Sequence, residues 1–382
     1  MADKAAGEAL LRTLNRAGYR ACFVGGCVRD SLLGRPVHDW DITTAARPEE
    51  VMALFPHCVP TGIAHGTVTV LWQGGSFEVT TFRTEGDYSD GRHPDAVAFV
   101  ADLEGDLARR DFTVNAMAMD ADGTVTDLYG GQADLRAGIL RCVGDPVRRF
   151  NEDALRILRA VRFSAQLGFY IEPATARAMV ACAPLCRKLS AERVRDEMEK
   201  TLLSPRPQDV LKMLDLGMLE AFDLFPWTAG PWINTAAPER AARWTALKLA
   251  LPALDLERLR LDGKTVRLCE AAAAAYVPVV TMPYLKRLTA REGWDVAECV
   301  CRVAGEWETM EELKRSGHCV TLEQLAVKGR DLKELRGPAV GAALRRMLEH
   351  VLDHPKDNEK SRLLEWLSRS EAEKTGNEEH CK

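Results

Sequence analysis

Apolar positions near the start of the chain recur at helical spacing. Leu10, Leu11, Leu14 and Ala17 form one face that stops at Gly18, which predicts an opening amphipathic helix. A short apolar run, Ala21-Cys22-Phe23-Val24, ends at Gly25-Gly26 and has strand character, and residues 27–33 predict a short helix closed by Gly34. Pro48-Glu49-Glu50 puts proline and acids where a helix starts. Thr67 to Trp72 and Phe77 to Phe82 alternate in polarity around Gln73-Gly74-Gly75-Ser76, which predicts a β-hairpin with those four residues as its loop. From about Phe150 the two-residue period fades, and stretches rich in Ala, Leu, Arg and Glu at 151–167, 190–203 and 206–221 predict helices. The expected fold class is α+β, with a mixed first part and an all-helical remainder. Residues 222–240, rich in Pro, Gly and Trp, predict a connection inside the helical part, and the polar stretch 370–382 a frayed tail.

Composition narrows the class. With 46% hydrophobic and 28% charged residues the chain is of ordinary globular make-up, and no apolar run approaches the roughly 20 residues that span a bilayer. No membrane association is expected. The first residues, MADKAAGEALLRTL, carry acids and no apolar signal core, and the 11 cysteines stand at irregular spacings without a zinc-type pair of pairs. Reduced thiols and a cytoplasmic location are the expectation. A net charge of −5 means that any attraction to nucleic acid must come from local basic patches.

The first candidate chemistry lies at Asp39-Trp40-Asp41. Side chains two apart on an extended segment point to the same side, so both carboxylates would stand together and repel unless a cation sits between them. Hard oxygen ligands of this kind suit Mg²⁺ held together with substrate phosphates, and such a site performs in-line attack of a hydroxyl on a nucleotide α-phosphate. An isolated Asp-x-Asp can equally be a solvated edge. Upstream, Gly25-Gly26 lets the backbone approach a triphosphate, Gly26 could offer its N–H, and Arg29 could neutralise phosphate charge.

The second candidate is Asn151-Glu152-Asp153-Ala154-Leu155-Arg156-Ile157-Leu158-Arg159-Ala160-Val161-Arg162-Phe163. Ala154, Leu158, Val161 and Ala165 make an apolar stripe, and on one helix Asp153 and Arg156 would be neighbours. A carboxylate accepts from an exocyclic amino group and a guanidinium donates to an unprotonated ring nitrogen. Such a pair accepts cytosine and adenine and rejects uracil and guanine without a template. The plain alternative is an i,i+3 ion pair on a solvated helix.

Taken together, Gly25-Gly26-x-x-Arg29-Asp30 and Asp39-x-Asp41 resemble the signature of the polymerase β-type nucleotidyltransferases. They are similar in particular to the class II branch of CCA-adding tRNA nucleotidyltransferases and bacterial-type poly(A) polymerases. The resemblance is strong over about residues 20–200, weak at 320–360 and absent between. It implies a small mixed sheet in the head, metal ligation by Asp39 and Asp41, and a third carboxylate, for which Glu78 on the second hairpin strand is the candidate. An exposed strand glutamate is the alternative for Glu78. Glu152-Asp153-x-x-Arg156-x-x-Arg159-x-x-Arg162 resembles the nucleotide-selecting motif of that branch. The resemblance implies that Asp153 and Arg156 pair with the incoming base, while Arg159 and Arg162 contact the nucleotide or hold the site together.

Asp106 to Ala118 resembles a further motif of the branch and assigns Arg110 to the triphosphate, and Ser190 to Glu197 resembles the last one. Tyr88-x-x-x-Arg92-x-Pro94 resembles the loop used in switching from C to A addition. The expected organisation is a catalytic head at 1–145, a base-recognising helical neck at 146–220, and a helical body and tail at 221–382 that binds tRNA, with Lys328, Arg345 and Arg346 as candidate backbone contacts. The expected substrates are CTP, ATP and tRNA lacking all or part of its 3′ CCA, with Mg²⁺ as cofactor and no protein partner. A poly(A) polymerase, a partial CC- or A-adding enzyme, and a catalytically silent RNA-binding protein are the alternatives.

Overall fold

The computed structural model describes residues 3–63, 66–85, 97–99, 102–219 and 236–379. The chain forms two compact units, Met1–Asp223 and Leu224–Lys382.

In the first unit the elements run α1 (Lys4–Arg16), β1 (Ala21–Val24), α2 (Gly26–Leu32), β2 (Ile42–Thr44), α3 (Pro48–Leu54), β3 (Cys58–Gly62), β4 (Thr67–Trp72), β5 (Gly75–Thr81), β6 (Arg83–Glu85) and β7 (Val97–Phe99). After these come α4 (Leu103–Ala108), β8 (Met117–Met119), β9 (Val125–Asp127), α5 (Gly131–Ala137) and β10 (Ile139–Leu140). The unit closes with α6 (Pro146–Glu152), α7 (Leu155–Leu167), β11 (Tyr170–Ile171), α8 (Pro173–Cys182), α9 (Ala191–Leu202) and α10 (Val210–Asp215).

Seven strands make one mixed sheet in the order β3-β4-β5-β2-β1-β8-β9, in which only β2 and β5 run parallel. The opening helix buries Leu10, Leu11 and Leu14, the stripe seen in the sequence. The α+β expectation holds, and strand character returns once more at β11, which pairs in parallel with β10.

Two local expectations are corrected. The hairpin loop is Gln73-Gly74, shorter than the four residues expected, because Trp72 pairs with Gly75. Both loop residues have positive φ, 47° and 79°, the geometry whose twist matches the flanking strands. The helix expected across 151–167 is broken at Asp153, which takes an extended φ of −145° between α6 and α7. Its Oδ1 accepts the N–H of Leu155, so the aspartate satisfies a donor that the start of α7 leaves open. The apolar stripe of Ala154, Leu158, Val161 and Ala165 is buried as expected. The segment carrying Tyr88, Arg92 and Pro94, and most of the 222–240 connection, lie outside the described residues.

The second unit is helical, with long segments at Arg240–Ala250, Gly263–Ala274, Met282–Glu292, Trp294–Ala304, Trp307–Ser316, Pro338–Asp353 and Lys360–Glu379. Leu325, Val327, Met347, Val351 and Leu363 form part of its core. Arg346 donates to Ser370 and Lys328 to the Glu323 carbonyl, so two of the three expected RNA contacts already have intramolecular partners. No helix among the described residues is long and apolar enough to cross a membrane.

Gly131 opens α5 at a close approach. A Cβ there would collide with the Thr113 carbonyl oxygen and stand 2.9 Å from the Met117 side chain. Gly131→Ala is therefore expected to destabilise the first unit by about 1–3 kcal/mol, the usual cost of overpacking. Denaturant unfolding checks this, and an unchanged midpoint would refute the contact.

Candidate active site

The site begins with the register of two parallel strands. Ile42 on β2 lies opposite Val79 on β5, so the residues just before them, Asp41 and Glu78, stand side by side. Trp40, Ile42, Phe77 and Val79 are all buried, whereas Asp39, Asp41 and Glu78 are exposed. This alternation turns the three carboxylates to one face. Trp40 fixes the segment by packing on Phe23, ring centroids 4.6 Å apart.

The carboxylates feel one another. The Asp41 carboxyl is pushed up to about 6, first by the protein packed around it and then by the charge of Glu78, with Asp39 adding to the rise. Solvent still reaches Asp41. The charge of Arg110 opposes the shift. Among the described residues no three His, Cys, Asp or Glu side chains are gathered tightly enough to form a ready metal cage. Hard oxygen donors with unneutralised charge on an open face nevertheless suit a cation that keeps part of its own shell for substrate oxygens.

Beside Asp41 runs β1, whose Val24 N–H donates to the Asp41 carbonyl at 3.0 Å. The chain then turns at Gly25, φ 82°, into α2. A Cβ on Gly25 would stand 3.0 Å from Nη1 of Arg110, so the turn and this guanidinium share one corner. Arg110 is held there by Asp106, which is fully buried and accepts Nη2 of Arg110 at 3.0 Å and Nη2 of Arg109 at 2.7 Å. Gly26 is the first residue of α2 and half-buried.

Arg29 has a different placement from the one its motif position suggests. It is buried and bidentate on Asp30, at 2.9 and 2.8 Å, and its Nη1 donates to Asn115 at 2.6 Å. Asn115 donates in turn to Asp111, which also takes Arg159 at 2.6 Å. Burial alone would raise the Asp111 carboxyl, but the Arg159 charge and the hydrogen bonds from Arg159 and Asn115 prevail and hold it at about 2.

Asp153 and Arg156 do not pair with each other. Asp153 is bridged by Nη2 of Arg193, at 2.8 and 3.1 Å. Arg156 donates to Glu152 at 2.7 Å and to the carbonyls of Arg149 and Arg109. The backbone still couples the two, since the Arg156 N–H donates to the Asp153 carbonyl at 3.1 Å. Arg162 pairs with Glu197 at 2.6 Å. The Phe163 ring is flanked by the guanidinium carbons of Arg162, Arg29 and Arg159 at 4.1, 5.3 and 5.3 Å.

The sequence reading placed Asp106, Asp111, Asn115, Arg193 and Glu197 within two motifs but did not pair them with Arg110, Arg159, Arg29, Asp153 and Arg162. Arg193 and Glu197 sit four apart on α9, on one face, which is the signal that could have marked them as counter-charges for α7.

These features agree with what the chain resembles. Residues 21–141 match the Poly A polymerase head domain family, and residues 168–226 the family described as probable RNA and SrmB-binding site of polymerase A. Fold and site thus define a nucleotidyltransferase head joined to helices of an RNA-binding type. A CCA-adding enzyme of Geobacillus thermodenitrificans is 38% identical over 94% of this chain and 95% of the relative, and one of Lactiplantibacillus plantarum is 38% identical over 96% of both. The Bacillus stearothermophilus CCA-adding enzyme, solved in complex with CTP, superposes with a TM-score of 0.83 at 37% identity, covering 99% of this chain and 100% of that one. The chain belongs to the family of CCA-adding enzymes.

The Asp111 network makes a pH prediction. The folded-state pKa lies below the ordinary carboxylate value of about 3.9, so the stabilisation is present in full above pH 4 and is lost as pH falls through about 2. The shift corresponds to something on the order of 2 kcal/mol. The stability difference between native protein and Asp111→Asn, followed by denaturant unfolding, should be constant near neutrality and shrink through that window. A difference independent of pH would contradict the account.

Proposed function

We infer that this chain adds C, C and A to the 3′ end of tRNA without a nucleic-acid template, taking CTP and ATP and releasing pyrophosphate. The observation that carries the reading is the row of carboxylates Asp41, Asp39 and Glu78 set beside the Gly25–Arg110 corner, in a chain whose near-full-length relatives are CCA-adding enzymes. Enzymes of this family work with a divalent cation. We take it to be Mg²⁺, held by Asp39 and Asp41 with Glu78 as the third carboxylate. The donor set fits, because these are hard oxygens whose mutual repulsion the Arg110 guanidinium relieves only in part. Bound there, the cation would activate the attacking 3′ hydroxyl and stabilise the charge leaving on pyrophosphate.

The residues of the chain do the rest. The turn at Gly25-Gly26, without side chains of its own, brings a triphosphate close to the backbone, and Arg110, fixed by Asp106, supplies positive charge. Arg29 acts from behind this turn, tying α2 to Asn115. Asp153 is an acceptor with capacity to spare: Arg193 and the Leu155 N–H leave room on its two oxygens for an amino group of C or A. Arg156, at the start of α7 and held by Glu152, donates to the ring nitrogen once the base arrives. Arg159 and Arg162 hold the site by their pairs with Asp111 and Glu197.

In this reading residues 1–145 are the catalytic head, 146–220 read the base, and 221–382 grip tRNA by shape and phosphate contacts. A cytoplasmic location suits a tRNA substrate and the cysteines, all of which are free among the described residues.

Offering each nucleoside triphosphate in turn to the protein with tRNA lacking its last three nucleotides tests the function. CTP should be used first and ATP only after two C additions. Long runs of A from ATP alone would point to a poly(A) polymerase instead. Asp153→Ala should lower discrimination against UTP and GTP by roughly tenfold to hundredfold, the effect of losing one obligatory hydrogen bond. Selectivity left intact would reduce Asp153 to the salt bridge with Arg193.

A further inference from the structure

The donor that reads the base is held by a carboxylate that several arginines share. Glu152, the last residue of α6, accepts Nη1 of Arg156 and Nη1 of Arg149 on Oε2, each at 2.7 Å, and Nε of Arg148 on Oε1 at 3.2 Å. Burial would raise this carboxyl, but the hydrogen bond from Arg156 and the charges of Arg149 and Arg156 prevail and hold it below the usual range. It is ionised near neutral pH, and its charge sets where the Arg156 guanidinium lies.

Arg149 does more than share that acid. Its side chain crosses from α6 to the end of α4, where Nη2 donates to the Ala108 carbonyl, while Nε donates to the Val143 carbonyl at 3.2 Å. Nη2 of Arg156 takes the next carbonyl, that of Arg109, also at 3.2 Å. Both carbonyls stand at the C-terminus of α4, where a helix leaves its last acceptors open. The Arg109 carbonyl shares one planar peptide with the nitrogen of Arg110, the arginine assigned to the triphosphate, whose side chain returns to Asp106 on α4. The Arg149 main chain serves the base-reading pair directly: its carbonyl accepts the Asp153 N–H at 3.3 Å and Nη1 of Arg156 at 3.2 Å.

We propose that Arg149 is a positioning residue for base selection: it locks the Glu152–Arg156 pair onto the end of the helix that anchors Arg110, so that the donor reading the base keeps a set place relative to the phosphates. The proposal rests on the base-reading role given above to Asp153 and Arg156. Hydrogen bonds select a base only when the donor is not free to turn toward a wrong acceptor. A guanidinium released from its frame would swing to a carbonyl oxygen of uracil as readily as to the ring nitrogen of cytosine. The planar fork of Arg149 meets Glu152, Ala108 and Val143 in different directions at once, which the single nitrogen of a lysine does not reproduce.

The test measures kcat/KM for addition of CMP and of UMP to tRNA lacking CCA by the full-length protein. A loss of folded protein lowers both alike and cancels in their ratio, so the ratio reads selection alone. Arg149→Lys, which keeps the charge and the aliphatic stem, should lower the preference for CTP over UTP about tenfold, the effect of one misplaced hydrogen bond from a charged group. Arg148 also pairs with Glu152, but its side chain is 80% exposed, and among the described residues it donates to no carbonyl of α4. Arg148→Ala should therefore keep the ratio within about twofold. Adding Arg149→Lys to Arg156→Ala should lower selectivity no further than Arg156→Ala does alone, since both act through one donor. A ratio unchanged in Arg149→Lys but lowered in Arg156→Ala would overturn the proposal, as would an equal fall in Arg148→Ala. A ratio unchanged in Arg156→Ala as well would instead overturn the base-reading role on which the proposal stands.

Discussion

Like charges brought together by a strand register govern this molecule. The parallel pairing of β2 with β5 sets Asp41 beside Glu78, and the buried alternates Trp40, Ile42, Phe77 and Val79 prevent either strand from rotating its acid away. A one-residue slip would bury the carboxylates and expose the core, so the hydrophobic pattern itself holds the acids in place. The protein relieves the repulsion only in part, through Arg110, and Arg110 is itself tethered to the buried Asp106. The arrangement leaves an electrostatic demand of the kind that a divalent cation answers.

Around this face the arginines divide the labour. Arg29, Arg159 and Arg162 come from two distant stretches of sequence and meet on the Phe163 ring, each with its own acid: Asp30, Asp111 and Glu197. Buried charges are tolerated only when paired, and three such pairs on one ring make the junction between α2, α7 and α9 stiff in a specified geometry. The consequence for function is positional. A chain of hydrogen bonds runs from Arg29 in α2 through Asn115 and Asp111 to Arg159 in α7, so the helix that follows the Gly25 turn and the helix that follows Asp153 are held in one frame.

Much of this was legible from the chain. The amphipathic first helix, the hairpin strands and the Asp39-x-Asp41 side-by-side placement follow from periods of 3.6 and 2 that burial enforces. The break at Asp153 was not legible, because the Ala, Leu and Arg around it favour helix and only the local competition of an aspartate for the Leu155 N–H decides otherwise. Partners separated widely in sequence were also hidden. Nothing near Asp153 announces Arg193, and nothing near Arg29 announces Asn115, since such pairs are set by how α9 and the segment after α4 pack. The two-residue hairpin loop escaped because Gly75-Ser76 reads as turn, while its pairing opposite Trp72 and Leu71 keeps it in the strand.

The central claim is that the carboxylate face gathers a divalent cation. Electron paramagnetic resonance of Mn²⁺, a spectroscopic substitute for Mg²⁺, measures this directly in the presence of CTP. The native protein should take up Mn²⁺ with CTP, and Asp39→Ala should lose most of that uptake while still binding tRNA. Undiminished uptake of Mn²⁺ by the Asp39→Ala protein would contradict the account.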